Sequence, residues 1–289
     1  MRIFVIALEN QSASDVYGSS SAPYLNTVLA PIAARSTRYG DVLPLAIESG
    51  PHYVWLEAGT NVFPDHSFVA DSDPSASAST SSTEHLVTQI DHAGKSWLIY
   101  MQGIDGNTGA CPLISSGAFA AWHDPVTWFR DVSGNPPSTD NASCAAHHRD
   151  FSAFAPELAA GTVADFNFIV PDLCHDMHGL PSCADGDAVH AGDSWLAANL
   201  PPLIDDVKQK GGVIYVLWDE TSATNPYGDP LQPFYAVGPG VKPGYVSNVP
   251  LDHSAYLRTV EEQLGLPILP SVQNAPDLAD LFTAPIPRR

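Results

Sequence analysis

Arg2–Leu8 (RIFVIAL), Phe166–Val170 (FNFIV) and Val213–Trp218 (VIYVLW) are near-continuous apolar runs, and all three lead into carboxylates. The first meets Glu9-Asn10. The second passes through Pro171 to Asp172, with Asp176 and His178 close behind. The third meets Asp219-Glu220. β-Branched and aromatic runs of this kind predict strands buried on both faces, as in a parallel sheet. In open α/β sheets, ligands gather outside the carboxyl ends of such strands. The three strand ends are therefore predicted to bring carboxylates into one crevice. There they repel one another unless a cation or a proton neutralises them. The pattern is the signature of a metal-centred active site.

The segments between the runs read mainly as helices. Tyr24–Ala30 predicts a helix stopped or kinked by Pro31. Ser49-Gly50-Pro51 predicts an N-cap and a helix over Pro51–Ala58 that Gly59 closes. Helices are also predicted at Glu84–Ala93, Phe151–Ala160, Ser194–Lys208 and Leu251–Leu264, with strands at Ser96–Met101 and Pro233–Val237. Asp71–Thr83 (DSDPSASASTSST) reads as a mobile surface loop at the rim of the site, and Gly103–Asn141 as an irregular insertion. With no internal repeat and no linker, the alternation predicts a single α/β domain over residues 1–289. Its expected form is a three-layer α/β/α sandwich around a mostly parallel sheet.

Twelve Lys and Arg face thirty-two Asp and Glu, a net charge of −20. Such a surface repels nucleic acid and anionic lipid, so neither nucleic-acid binding nor stable membrane association is expected. A small phosphorylated substrate is compatible with the charge if a bound cation reverses the local field. No stretch reaches the roughly 20 apolar residues of a membrane span. Met1-Arg2 leads straight into the first run, so no signal peptide is visible. Cys111, Cys144, Cys174 and Cys183 contain no C-x-x-C pair, which argues against a structural zinc site. Three disulfide connectivities are allowed, and sequence proximity favours Cys111–Cys144 with Cys174–Cys183. Disulfides imply a secreted or periplasmic protein whose signal has been removed.

Glu9-Asn10 and Asp219-Glu220 offer four oxygen-bearing side chains and no sulfur. Such a set favours Ca²⁺, Mg²⁺ or Mn²⁺, with Zn²⁺ possible if histidine joins it. Ser49, at a helix N-terminus beside a metal, is a candidate nucleophile, where the helix dipole also favours an incoming anion. Asp172, His175, Asp176 and His178 crowd the stretch PDLCHDMHG. His147-His148 and His253 are weaker candidates. His66, His85, His92, His123 and His190 read as isolated structural histidines.

In order along the chain, these motifs resemble those of the bacterial acid phosphatase and phospholipase C phosphoesterases of the alkaline-phosphatase-like superfamily. IALENQSASDVYG (Ile6–Gly18) resembles the opening Glu-Asn motif, and Ser49-Gly50-Pro51-His52-Tyr53 the nucleophile segment. AGKSWLIY (Ala93–Tyr100), His148-Arg149-Asp150-Phe151, VPDLCHDMHG (Val170–Gly179), Trp218-Asp219-Glu220 and His253–Pro267 complete the series. The resemblance implies a divalent cation held by Glu9, Asn10, Ser49, Asp219 and Glu220, with Ser49 forming a phosphoserine intermediate. It implies His148, His178 and His253 at the phosphoryl group, one of them protonating the leaving group. Asp176 would orient one of these histidines or join a second metal site, and His52 would contact phosphate. The chain departs from the pattern at four places. His52 and Asp172 each stand where Asn is usual, Gln102 where Glu is common, and Arg149-Asp150 where Asn-Pro is usual. The leading expectation is a metal-dependent phosphomonoesterase for small phosphate esters. The alternatives are a phosphodiesterase or phospholipase C with the same site, and a non-catalytic cation-binding acidic protein.

Overall fold

Strands and helices alternate along residues 1–104, 109–222 and 230–284, the part of the chain that the computed structural model describes. The strands are β1 Arg2–Leu8, β2 Ala34–Ser36, β3 Tyr39–Gly40, β4 Trp97–Met101, β5 His148–Asp150, β6 Phe166–Val170, β7 Gly212–Trp218, β8 Leu231–Gln232, β9 Phe234–Val237 and β10 Val246–Ser247. The α-helices are α1 Ala13–Val16, α2 Ser49–Ala58, α3 Leu86–His92, α4 Arg130–Ser133, α5 Ala142–His147, α6 Phe154–Ala160, α7 Ala188–Lys210 and α8 His253–Leu264. Eight strands form one sheet in the order β10-β2-β9-β7-β1-β6-β4-β5, while β3 and β8 pair separately. β7, β1, β6, β4 and β5 run parallel, and β9 is antiparallel to both its neighbours.

The three runs that decide the fold are the three central neighbours β7, β1 and β6. Each is covered on both faces because successive side chains point to opposite sides of a strand. Ile3, Val5 and Ala7 of β1 join Val54 of α2, Val87 and Ile90 of α3, and Leu257 and Val260 of α8 in one core. Phe4, Ile6 and Leu8 join Phe154 and Leu158 of α6 and Leu196, Leu200 and Leu203 of α7 in the other. Full burial of each such side chain contributes about 1.5–3 kcal/mol. The expected three-layer α/β/α sandwich is the observed architecture.

Several local expectations are altered by packing. The Tyr24–Ala30 segment forms a π-helical turn over Leu25–Leu29 and stops before Pro31. Helix α7 begins earlier than the apolar spacing indicates, at Ala188, because the Asp187 side chain accepts from the His190 amide. The segment 71–83 is not simply a surface loop, since Pro74, Ala78, Ser79 and Thr80 are buried. It is stitched to the insertion by Thr80 N–H donating to Trp128 O and Arg130 N–H donating to Thr80 O, both at 2.9 Å. The insertion in turn carries Val126, Trp128 and Phe129 into the core beneath α2. Cys111–Cys144 and Cys174–Cys183 are the two disulfides. The first ties the insertion to α5, and the second braces the segment after β6.

His85 knits α2, α3 and α4 together. Its Nδ1 lies 2.9 Å from Glu57 Oε1, and its Nε2 lies 3.1 Å from both Asp131 carboxylate oxygens. Its ring stacks on Phe129. Burial opposes charge on the ring, but the two carboxylates outweigh it and hold the pKa at about 9. The unfolded value is about 6.5, so folding takes up a proton. The stabilisation is complete below the unfolded value and is lost as pH rises through the folded one. Replacing His85 with Phe leaves two carboxylates unpaired and should cost on the order of 3 kcal/mol near pH 6. Thermal melts should show the gap between wild type and His85→Phe shrinking as the pH approaches 9.

Candidate active site

Leu8 of β1 is in register with Trp218 of β7, so Glu9 and Asp219 leave the sheet side by side. Asp219 N–H donates to Leu8 O at 3.0 Å, and Asn10 N–H donates to Asp219 Oδ1 at 3.0 Å. On the other side of β1, Glu9 N–H donates to Asp176 O at 2.7 Å. The loop after β6 is thereby hydrogen-bonded to the end of β1. Glu9, Asp176 and Asp219 are fully buried, and Glu220 is nearly so.

Helix α2 aims its first turn at these carboxylates. Glu48, with extended backbone, occupies the N-cap position predicted for Ser49, and Ser49 is the first helical residue. The Ser49 hydroxyl is therefore free to turn away from the helix. Its Oγ lies 3.0 Å from Glu9 Oε2 and 3.0 Å from Glu220 Oε1. One hydroxyl proton can serve one of these oxygens at a time. Tyr53, one turn along the same face of α2, donates to Glu9 Oε1 at 2.5 Å. The Gly50 amide, at the helix start where an anion was anticipated, donates to Asp71 Oδ1 at 2.7 Å. The Tyr53 ring stacks on His123, whose Nε2 is 3.5 Å from Glu9 Oε1 and whose Nδ1 is 3.8 Å from Asp176 Oδ2.

Burial first, and then repulsion from Asp176 on Glu9 and from Glu9 on Asp219, holds both carboxyls well above the usual carboxylate range. Burial does the same to Asp176, helped by Asp219 and Asp172 against the His178 amide. Glu220 is pushed up to about 8, mainly by burial. Asp176 Oδ2 and Asp219 Oδ2 are buried without a hydrogen-bond partner. A divalent cation would supply the missing partners and cancel the repulsion, so these residues fit one. Glu9, His123 and Asp176 each place one ligand atom within 4.8 Å of the others.

The Phosphoesterase family profile matches residues 42–267, most of the chain. The chain belongs to the Phosphoesterase family. It is 26% identical over 282 residues to a phosphatidylinositol-3-phosphatase of Mycobacterium tuberculosis, covering 97% of this chain and 82% of that protein. Its fold is shared with the phosphonate monoester hydrolase of Silicibacter pomeroyi, at a TM-score of 0.59 and 15% identity, covering 98% of this chain and 77% of that one. A Vibrio parahaemolyticus protein of the alkaline phosphatase superfamily matches at a TM-score of 0.58 and 12% identity, covering 94% and 68% of the two chains. The fold is thus alkaline-phosphatase-like, and this phosphoesterase is a phosphoric ester hydrolase.

Within this phosphoesterase, the structure gathers Glu9, Ser49, Asp176, Asp219 and Glu220, with the Asn10 backbone alongside. His178 is exposed at the mouth. Its Nδ1 is 2.9 Å from Gly179 O, which leaves Nε2 facing outward from that bond. Two other histidines predicted to face phosphate are engaged elsewhere. His253 Nε2 lies 2.5 Å from Asp219 O and its Nδ1 lies 2.9 Å from Tyr39 OH. A carbonyl only accepts, so Nε2 carries the proton, Tyr39 donates to Nδ1, and the neutral ring braces the Asp219 backbone. Burial lowers its pKa to about 4. His148 sits on β5, three strand spacings or about 14 Å from β1 across the sheet. Its Nδ1 donates to Cys144 O at 2.6 Å, and its Nε2 lies 2.7 Å from Asp124 Oδ2. Burial opposes charge there, yet Asp124 keeps the His148 pKa raised. His52 is completely buried, between Asp41 and Glu220.

His123, Tyr53 and Asp71 were not singled out by sequence reasoning. Tyr53 stands four residues after Ser49, and helical spacing alone places both on one face. His123 ends a short 3-10 helix, Ala121–His123, inside the insertion, and Asp71 lies in an irregular segment; the local pattern of neither carries such a signal.

The position of Asp176 depends on a tight loop. Met177, next in sequence, is fully buried with φ +81°, a conformation that costs a non-glycine residue energy. It presses on α7 at Gly192, where a Cβ atom would stand 2.3 Å from Met177 Cγ and 3.2 Å from His175 O. Gly192→Val should therefore push the Asp176 loop outward. The expected result is a drop in kcat of roughly tenfold or more, as for misplaced catalytic groups, with the helical circular dichroism spectrum retained. Adding Met177→Ala should restore part of the rate.

Proposed function

We propose that this protein is an exported, metal-dependent phosphomonoesterase that hydrolyses small phosphate esters through Ser49. The observation that carries this reading is the Ser49 hydroxyl held 3.0 Å from carboxylates on two different strand ends. A neutral structural serine does not require two buried acids, and a nucleophile beside a cation does. The Mycobacterium relative, which is named as a phosphatase, supports the monoester reading. The two disulfides agree with export, and among the described residues no helix is long and apolar enough to cross a membrane.

Glu9, Asp219 and Glu220, with the Ser49 oxygen and Asn10, would hold the divalent cation. Asp176 and His123 stand close enough to contribute. When bound, such an ion stabilises an alkoxide and the charge on a phosphoryl oxygen. Glu9 and Glu220 position Ser49 Oγ for attack on phosphorus, and one of the two accepts its single proton. Tyr53 fixes the rotamer of Glu9. The phosphoryl group passes to Ser49, and water then releases phosphate. His178, at the mouth with Nε2 turned from its backbone contact, is placed to protonate the leaving oxygen. His253 and His148 act as positioning residues, the first behind Asp219 and the second through Asp124.

Ser49→Ala should lower turnover of an aryl phosphate by about 10³-fold or more without shifting the thermal melt downward. Rapid quench of wild type should trap one phosphoryl group on the peptide that contains Ser49. Full activity in the variant defeats the reading. Nitrophenyl phosphate should be hydrolysed faster than bis-nitrophenyl phosphate, and the reverse order would favour a phosphodiesterase.

A further inference from the structure

The first peptide of α2 already carries an anion at the place where the reaction would bring another. Ser49 and Gly50 share that peptide, so the Gly50 N–H is the backbone donor that follows the attacking oxygen. The first N–H groups of a helix have no acceptor within it, and Pro51, next in line, has no N–H at all. A phosphoryl group on Ser49 Oγ can therefore turn one oxygen toward Gly50. In this structure Asp71 Oδ1 takes that amide, at 2.7 Å.

The contact is built into the fold. Gly50 is buried, and a Cβ atom there would stand 3.1 Å from Trp128 Cζ2, 3.2 Å from Asp71 Oδ1 and 3.5 Å from Trp122 Cβ. Glycine leaves the room in which a carboxylate closes on the amide. Glu48, at the N-cap position, makes no side-chain cap of its own. It accepts instead from Asp71 N–H at 2.7 Å. Two residues further on, Asp73 accepts from Ser115 N–H at 3.0 Å. The backbone around Asp71 is thus pinned. Its side chain, among the described residues, has no hydrogen-bond partner besides Gly50, so it can leave by rotating about its own bonds. Burial raises the Asp71 carboxyl to about 6 against the pull of the Gly50 amide, with Glu48 raising it and His178 lowering it. Glu220 also feels its charge. At neutral pH Asp71 is mainly an anion.

We propose that Asp71 is an internal competitor for the phosphoryl group, and so the residue that sets how tightly this site holds phosphate esters and free phosphate. The proposal rests on the reading that phosphorus meets Ser49 Oγ. An incoming phosphoryl oxygen must displace the carboxylate from Gly50 and then lie beside its charge. Such competition weakens substrate and product together, which raises KM rather than lowering kcat. It also favours esters whose alcohol part makes contacts of its own over free phosphate, which has none. Released phosphate is thereby kept from lingering on the site.

The test compares wild type, Asp71→Asn and Asp71→Ala at neutral pH with Mn²⁺ present. Inorganic phosphate is titrated as an inhibitor of nitrophenyl phosphate hydrolysis, and its binding is measured directly by equilibrium dialysis. Asn keeps an acceptor for Gly50 and drops the charge, while Ala drops both. Phosphate should bind about tenfold more tightly to Asp71→Ala, a gain of about 1.4 kcal/mol. Asp71→Asn should fall between the two, and KM should fall in step. Circular dichroism confirms folding, and Asp71→Asn, which preserves the cap, carries the test if Asp71→Ala does not fold. Equal or weaker phosphate binding in both variants, with wild type active, reduces Asp71 to a helix cap. That result overturns the proposal and leaves the hydrolase reading standing. Tighter binding by the variants with no hydrolysis by wild type upholds the competitor and defeats the reaction. Absence of both hydrolysis and phosphate binding in all three proteins overturns both.

Discussion

Four carboxylates removed from water in one place are the constraint around which the rest of the molecule is arranged. Glu9, Asp176, Asp219 and Glu220 approach one another at the ends of three adjacent strands, and each is driven toward its neutral form. A chain under selection for stability alone has little reason to keep them, because apolar residues there cost less. Their cost is tolerable only if something cationic shares the space, or if the chemistry needs protons held ready at neutral pH. Both conditions suit a phosphoryl-transfer site, where negative charge arrives with the substrate and must be met by fixed positive charge.

The surrounding elements can be understood as devices for keeping that crowd in register. Parallel pairing of β7, β1 and β6 delivers Glu9 and Asp219 to the same edge and brings the Asp176 backbone to Glu9. Helix α2 contributes two hydroxyls to one carboxylate. His253 holds the Asp219 carbonyl from below, while Met177 and Gly192 wedge the Asp176 loop against α7. Segments outside the sheet and the long helices complete the wall. The insertion supplies His123, and the segment 71–83 supplies Asp71 to the Gly50 amide in the first turn of α2.

Much of this was legible in the sequence because it follows from short-range rules. Apolar runs ending in acids specify strand ends, and parallel strands put their ends on one side, so Glu9, Asp176, Asp219 and Glu220 could be gathered without coordinates. The helix beginning near Ser49 and closed by Gly59 follows from Pro and Gly chemistry, and Gly59 adopts φ +65° as that chemistry requires. What sequence reasoning could not supply was the partner of each histidine. His148 and His253 look like His178 in a string of letters. They differ because a backbone carbonyl and Asp124 or Tyr39 occupy their ring nitrogens, contacts made across large separations in the chain or at a strand edge. His123 was overlooked for the converse reason. Nothing beside it in sequence announces chemistry, and only the path of the insertion over α2 brings it to Glu9.

Helix α2 holds both oxygens of the Glu9 carboxylate, one through Ser49 and one through Tyr53. This double grip works like a caliper. The helix cannot slide, roll or tilt without opening one jaw, so the attacking oxygen is gauged against the sheet rather than against the loops. Divergence toward bulkier or differently shaped esters is accordingly channelled into the irregular walls, where residues can change without resetting the distance at which the reaction happens.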